Sequence, residues 1–288
     1  MDVELMKTKR VKDSLTLAFA IVTSICTVVS VFGITIQSIL PLKGLHWVIR
    51  ILIYFALVLV SYALLSFIIW LIKGAKNTIT LKIGKNDVTV KPGNIFYESG
   101  WRVIPVDTHF STTVDDVVIS KTSLHGQMVL DHCDVAKIKD AVKTEADRRG
   151  LQEDNGQYSF PLGTAIHCEG KTTDKGPDGD YILLALTKLN SDNEAHTTMA
   201  QYEHTLMQAW KEINRVYNGN NIVLPLLGAG ITRFDDDQGD AGDLLRCMLC
   251  TLNTSKQQFN CKISVVIYDH GGTDLPLYEY KDLFKIAR

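Results

Sequence analysis

The chain has 288 residues, with 30 Lys and Arg against 32 Asp and Glu and 46% hydrophobic residues, a composition that excludes a disordered or a fibrous protein. The hydrophobicity is concentrated at one end. Leu15 to Leu40 runs 26 residues and Ile51 to Ile72 another 22 without a charge, each longer than the roughly 30 Å hydrocarbon core of a bilayer at about 1.5 Å per residue. Neither a wholly soluble chain nor one released by signal cleavage is expected, because a signal peptide has a shorter apolar run and no second span follows it.

In chain order, the first predicted elements are two membrane spans, about 15–40 and 51–72, joined by Pro41 to Arg50 as an antiparallel hairpin. Lys7, Lys9, Arg10 and Lys12 precede the first span, and Lys73 and Lys76 follow the second. This bias favours both termini in the cytoplasm, with the protein multi-pass in the cell inner membrane. Neither span carries an ionisable side chain, which argues against a proton or ion relay. The first is rich in small and hydroxyl residues such as Thr23, Ser24, Thr27, Gly33 and Thr35, the composition of close helix–helix contact in lipid. A plain anchor and an oligomerising or pore-forming hairpin both fit this pattern.

Residues 1–76 carry a net charge of +5, so the remaining 212 carry −7. An acidic soluble part argues against nucleic acid as a partner, since phosphate binding leaves a basic footprint. Residues 77–288 form the second expected domain, large enough for one core. Strands are predicted at Thr78–Ile83 and Asp87–Val90 around the turn Gly84-Lys85-Asn86, then at Trp101–Val106 and Val117–Ile119. A helix follows at Asp131–Arg149, with Val135, Ile138 and Val142 on one face, then strands at Thr164–Cys168 and Tyr181–Leu189. Next come a long helix at Thr198–Tyr217, a strand at Ile222–Leu226, a helix at Gly242–Leu252, a strand at Ile263–Tyr268 and a closing helix at Leu277–Ile286. Alternating strands and helices imply an α/β fold with a mixed sheet. Ligands of such sheets bind at the carboxyl ends of the strands.

One stretch carries a chemical signal: Val223-Leu224-Pro225-Leu226-Leu227-Gly228-Ala229-Gly230-Ile231-Thr232-Arg233-Phe234. A buried strand runs into a loop of small residues, whose backbone N–H groups are free to wrap an anion such as a diphosphate. It is neither a nucleotide-triphosphate loop nor a Rossmann fingerprint.

Pro225 to Phe234 resembles the second phosphate-binding loop of macro domains, and other landmarks fall in the same order. Gly93-Asn94-Ile95-Phe96 is similar to the family's Gly-Asp-Ile-Thr, and Arg102 to Phe110, including Asp107-Thr108-His109, resembles its next strand and Asn-Ala-Asn stretch. Pro161 to Ala165 resembles a strand entry, and Val265 to Asp269 the last core strand, after which an aromatic, here Tyr268, stacks on adenine. The resemblance covers roughly Leu81 to Arg288 and implies a three-layer macro-like domain. It also implies a ligand site of Asn94, Ile95, Asp107, Thr108, His109, Leu227, Gly228, Ala229, Gly230, Ile231, Thr232, Arg233, Phe234 and Tyr268. Three departures stand out: Asn94 replaces the adenine-binding Asp, Asp107 lies where hydrolytic members carry Asn, and Lys121 to Gln127 replaces a Gly-Gly-Gly loop. The last loss points to binding rather than hydrolysis, with no catalytic residue assigned and no cofactor.

A two-span hairpin before such a domain resembles the membrane-anchored effector of type II Thoeris antiphage systems. That resemblance implies a TIR-domain, NAD-consuming partner enzyme and a signal that is an ADP-ribose derivative, for this class histidine conjugated to ADP-ribose. It further implies a homo-oligomer that acts on the membrane. Two alternatives stay open: a membrane-tethered ADP-ribosyl hydrolase with Asp107 as base, and a passive anchored sensor.

Cys247 and Cys250 form a lone Cys-x-x-Cys in a predicted helix, expected to be buried and not zinc ligands. Among eight histidines, only His109 and His125 fall in loops expected to border the cleft. Asp235-Asp236-Asp237 reads as a solvated turn rather than a metal site, with Arg233 offsetting its charge beside the anion loop.

Overall fold

The computed structural model describes residues 3–31, 46–74, 78–190, 194–230, 232–235, 240–268 and Leu277. The chain divides into two compact units, Met1–Asn77 with Pro276–Leu283, and Thr78–Leu275 with Phe284–Arg288.

The first unit contains helices α1 (Val3–Val31) and α2 (Trp47–Gly74). Among the described residues, one helical stretch is long and apolar enough to cross a membrane, Trp47–Leu71, while α1 offers the shorter apolar run Ser14–Thr27. The rest of the first predicted span, with Gly33, Thr35 and Ser38, lies outside the described residues. Buried side chains of α1 and α2 are small, namely Ser14, Ala18 and Ser66, whereas Phe55, Val60, Leu64 and Phe67 are each more than half exposed. The Tyr62 hydroxyl of α2 donates to the Leu15 carbonyl of α1 at 3.1 Å. Thr16, Thr23, Ser24 and Thr27 instead donate to carbonyls one turn back in their own helix.

The second unit is built on a mixed nine-stranded sheet. Its strands are β1 (Ile79–Ile83), β2 (Asn86–Pro92), β3 (Trp101–Asp107), β4 (Ala165–Cys168), β5 (Tyr181–Leu189), β6 (Ala195–Thr197), β7 (Ile222–Pro225), β8 (Arg233–Phe234) and β9 (Ile263–Ile267). They run in the order β1-β2-β9-β7-β3-β5-β6-β8, with β4 also paired to β5. β1 and β2 form an antiparallel hairpin, while β2, β9, β7, β3 and β5 are successively parallel. The hairpin turns at Gly84, whose φ of 58° suits glycine.

Alternation along the parallel strands makes two apolar faces. Ile104, Val106, Leu183, Ala185, Val223 and Val266 belong to one core cluster, with Ile138, Val142 and Ala146 of helix α4 (Val135–Arg149). Helix α5 (Met199–Val216) and helix α6 (Ala241–Ser255) bury Leu206, Trp210, Ile213, Leu244, Met248 and Leu252, and Trp210 Nε1 donates to Thr251 Oγ1 at 3.0 Å between them. Each such aliphatic side chain contributes about 1.5–3 kcal/mol on burial. α5 opens with the capping box Thr198/Gln201, and α4 stops at Gly150, where φ is 66°.

The structure corrects several sequence expectations. Val117–Ile119 is not a strand: the Asp115 carboxylate accepts from the N–H groups of Val117 and Val118, bending the backbone, and Val117 is exposed. The helix expected at Asp131–Arg149 is broken. A short helix α3 (Leu124–Gln127) runs into a π turn at Met128–His132, and the chain extends at Cys133 and Asp134 before α4. Val135 is half exposed rather than on the buried face. Cys247 is only partly buried and Cys250 is exposed, because both flank the Leu244, Leu245, Met248, Leu249 stripe of α6. The short strands β6 and β8 carry no periodicity and were not expected. The predicted closing helix lies outside the described residues apart from Leu277.

Candidate functional site

Because five neighbouring strands are parallel, their carboxyl ends share one edge of the sheet. In spatial order that edge carries Gly93–Tyr97 after β2, Tyr268 after β9, Leu226–Gly230 after β7 and the end of β3 with Thr108 and His109. Ten of the predicted ligand residues therefore meet there: Asn94, Ile95, Tyr268, Leu227, Gly228, Ala229, Gly230, Asp107, Thr108 and His109. Ile231 lies outside the described residues, and Thr232 leads into β8, which pairs with β6 at the end of the sheet.

After β2, Gly93 N–H donates to the Ile267 carbonyl at 3.0 Å, stitching the turn to β9. Asn94 Oδ1 accepts from Phe96 N–H at 3.0 Å, so this side chain caps a one-turn helix at Ile95–Tyr97. Ile95 and Phe96 point into the core, and Phe96 stacks on His132 with ring centroids 4.3 Å apart. Tyr268 is half exposed and directly follows β9, the strand to which this turn is stitched.

At the end of β3 the register with β5 slips between Val106 and Asp107, a bulge of the kind that re-aims side chains at functional edges. Buried Asp107 accepts from His109 N–H at 2.7 Å and Ser111 hydroxyl at 3.1 Å through Oδ1, and from Ser111 N–H at 3.2 Å through Oδ2. Its oxygens are thus committed to holding the loop. Phe110 takes a φ of 52° and packs edge-on against Phe160. His109 donates from Nδ1 to the Tyr158 carbonyl at 2.9 Å, since a carbonyl only accepts. Thr108 Oγ1 is the buried side-chain polar atom without a partner among the described residues.

His125, on α3, lies beside the Asp107 carboxylate and the Ser111 backbone. Burial pushes its pKa down to about 4 against the opposing pull of Asp107. The folded protein therefore keeps this imidazole neutral where the unfolded chain protonates it, so its share of stability is full above pH 6.5 and is lost as pH falls towards 4. Urea unfolding should show stability dropping between pH 6.5 and 5, with the His125→Gln variant losing on the order of 1 kcal/mol less than the parent over that window. Equal drops in both would remove His125 as the cause.

The loop after β7 is braced from behind. Leu226, Leu227 and Gly228 are buried, while Ala229 and Gly230 are exposed. Ala229 N–H closes a turn onto the Leu226 carbonyl at 3.2 Å, and the Tyr202 hydroxyl of α5 donates to the Leu227 carbonyl at 2.7 Å. Gly228 has a φ of 83°, and a Cβ there would sit 3.4 Å from the rings of Phe234 and Tyr202. Phe234 meets Tyr202 edge-on at 5.6 Å, so this predicted ligand residue also supports the loop from β8.

Arg233 engages a neighbouring carboxylate. It pairs with Glu194 at 2.6 Å, and His196 bridges Glu194 and Asp235 at 3.1 and 2.7 Å. Those two carboxylates raise the His196 pKa. This lattice between β6 and β8 accounts for Asp235 beside an anion loop, while Asp236 and Asp237 lie outside the described residues. Sequence reasoning missed Tyr202 and Arg102. Arg102 is buried and donates to the carbonyls of Glu98 and Pro177, tying the Asn94–Glu98 turn to the sheet. Among the described residues no group of three or more His, Cys, Asp or Glu side chains is placed to hold a metal.

A parallel-strand edge carrying a capped turn, a bulged strand end and a small-residue loop is the kind of edge at which an α/β domain takes a ligand. Residues 88–268 match the family model described as Thoeris protein ThsA, Macro domain. The chain is 30% identical over 243 residues to a Thoeris protein ThsA of Bacillus amyloliquefaciens (strain Y2), covering 80% of this chain and 78% of that one. Among solved structures it is similar to an Oceanobacillus iheyensis macrodomain mutant with ADPR (TM-score 0.47, 16% identity, 73% of this chain and 100% of that one). It is also similar to the macrodomain of that organism with ADP (TM-score 0.45, 15% identity, 73% and 97%). The chain belongs to the ThsA macro-domain family of Thoeris proteins.

Proposed function

We propose that this chain is a membrane effector of Thoeris antiphage defence. Its macro domain binds a TIR-generated ADP-ribose derivative, histidine-ADP-ribose, and binding drives oligomerisation and membrane disruption. The observation that carries the reading is the convergence of the Asn94 turn, Tyr268, the Leu227–Gly230 loop and the end of β3 at one strand edge, in an order that fits adenine, diphosphate and distal ribose. Support for the membrane half comes from Trp47–Leu71, an apolar helix whose large side chains face outward. Both termini and the macro domain are assigned to the cytoplasm by the basic residues flanking the spans. A binder is favoured over an ADP-ribosyl hydrolase because the Asp107 carboxylate already accepts three hydrogen bonds from its own loop, a structural use of the residue. The ligand acts by differential affinity for the resting and assembled states.

Dye-loaded liposomes bearing the full chain test the proposal. Histidine-ADP-ribose should release dye where ADP-ribose releases less and buffer none, and tight ligand binding without any leakage would overturn the effector reading. Adenine recognition has its own expectation. The Asn94→Ala variant loses an amide worth about 0.5–1.5 kcal/mol net, so calorimetry on the full chain in detergent should show affinity falling about tenfold or less. If inosine- and adenine-based ligands bind equally, this turn does not read the base.

A further inference from the structure

We propose that Tyr202 is a positioning residue that sets the anion-binding state of the Leu227–Gly230 loop by fixing the orientation of one peptide plane; the inference rests on the ligand reading above. Tyr202 is buried, 2% exposed, on the first turn of α5. Its hydroxyl donates to the Leu227 carbonyl at 2.7 Å. Burial raises the phenol's pKa well above its ordinary value, so the hydroxyl keeps its proton throughout the physiological range.

The consequence follows from peptide geometry. In a planar trans peptide the C=O of one residue and the N–H of the next point in opposite directions. With the Leu227 carbonyl held towards α5, the Gly228 N–H is turned to the opposite side, away from α5, and on the proposed reading this is the side that serves the anion. Gly228 itself, at a φ of 83°, has no Cβ to resist rotation of that plane. Nothing intrinsic to the glycine stops the plane from flipping and presenting a carbonyl to the diphosphate. The hydroxyl supplies the restraint, and the Phe234 edge on the Tyr202 ring, 5.6 Å between centroids, keeps the phenol in place. Buried behind the loop, Tyr202 acts through it.

The experiment compares ADP-ribose with adenosine on the full chain in detergent, by calorimetry, for the parent and for Tyr202→Phe, which keeps the ring and removes only the hydroxyl. Affinity for ADP-ribose should fall about tenfold, while affinity for adenosine, which lacks the diphosphate, stays within twofold. Unchanged ADP-ribose binding overturns the proposal, and so does an equal loss for both ligands, which marks a merely structural role. Gly228→Ala approaches the same plane from the other side, because an L-residue disfavours the φ that this peptide needs. It should show the same selective loss, and it decides the matter if Tyr202→Phe does not fold. A parent protein that binds neither ligand overturns the ADP-ribose reading itself, an outcome distinct from any behaviour of the variants.

Discussion

Gly230→Glu should abolish ADP-ribose binding and leave the fold intact. Gly230 is exposed, and a Cβ built on it has no heavy atom within 4 Å, so a larger side chain is accommodated. The added carboxylate would stand among backbone amides that the small-residue loop offers to an anion. Two like charges about 5 Å apart at an effective dielectric near 20 repel by about 3 kcal/mol, and a diphosphate brings two charges. Affinity should therefore fall by more than about a hundredfold, while the melting temperature of the full chain moves by no more than a degree or two. A folded variant that binds ADP-ribose as the parent does would remove this loop from the site.

Arg102→Leu should have the largest effect on stability. The guanidinium is 1% exposed and donates to the Glu98 carbonyl at 2.9 and 3.2 Å, to the Pro177 carbonyl at 2.6 Å and to the Tyr181 hydroxyl at 3.4 Å. It also lies 5.4 Å over the Tyr181 ring. Leucine restores apolar volume but takes the donor from the carbonyls of half-buried Glu98 and exposed Pro177, hydrogen bonds to a charged group worth about 1.5–3 kcal/mol each. A loss of about 3 kcal/mol is expected in urea unfolding followed by tryptophan fluorescence. Because Glu98 closes the Asn94 turn, adenine affinity should drop alongside. Stability within 0.5 kcal/mol of the parent would mean that the two carbonyls find other donors.

Much of this architecture was legible where local chemistry and packing agree. Tyr181–Leu186 is an uninterrupted apolar run because it lies inside the sheet with both faces covered, and Thr187–Leu189 extends the strand beyond the buried part. The small-residue loop was equally plain, since Gly228 and Gly230 around Ala229 stand out after a buried strand. What escaped depends on partners far away in sequence. β6 and β8, three and two residues long, pair across 37 positions, and nothing in Ala195–Thr197 announces it. Arg102 looks like a solvated strand residue until Pro177 and Glu98 close around it. Tyr202 reads as one more apolar position of α5, and only the fold brings its hydroxyl to Leu227. Asn94 and Asp107 fall at the strand-end edge of the sheet, but their capping bonds arise from turn geometry that spacing does not encode.

The two-residue length of β8 has a bearing on solubility and control. It is the last strand on its side of the sheet and directly follows the anion loop. A longer bare strand here would act as a template on which neighbouring copies zip together. Two residues, with Arg233 and Asp235 already engaged by Glu194 and His196, offer too short a ladder to recruit another chain. On the proposed function, crowding alone is thereby kept from mimicking the signal through strand addition.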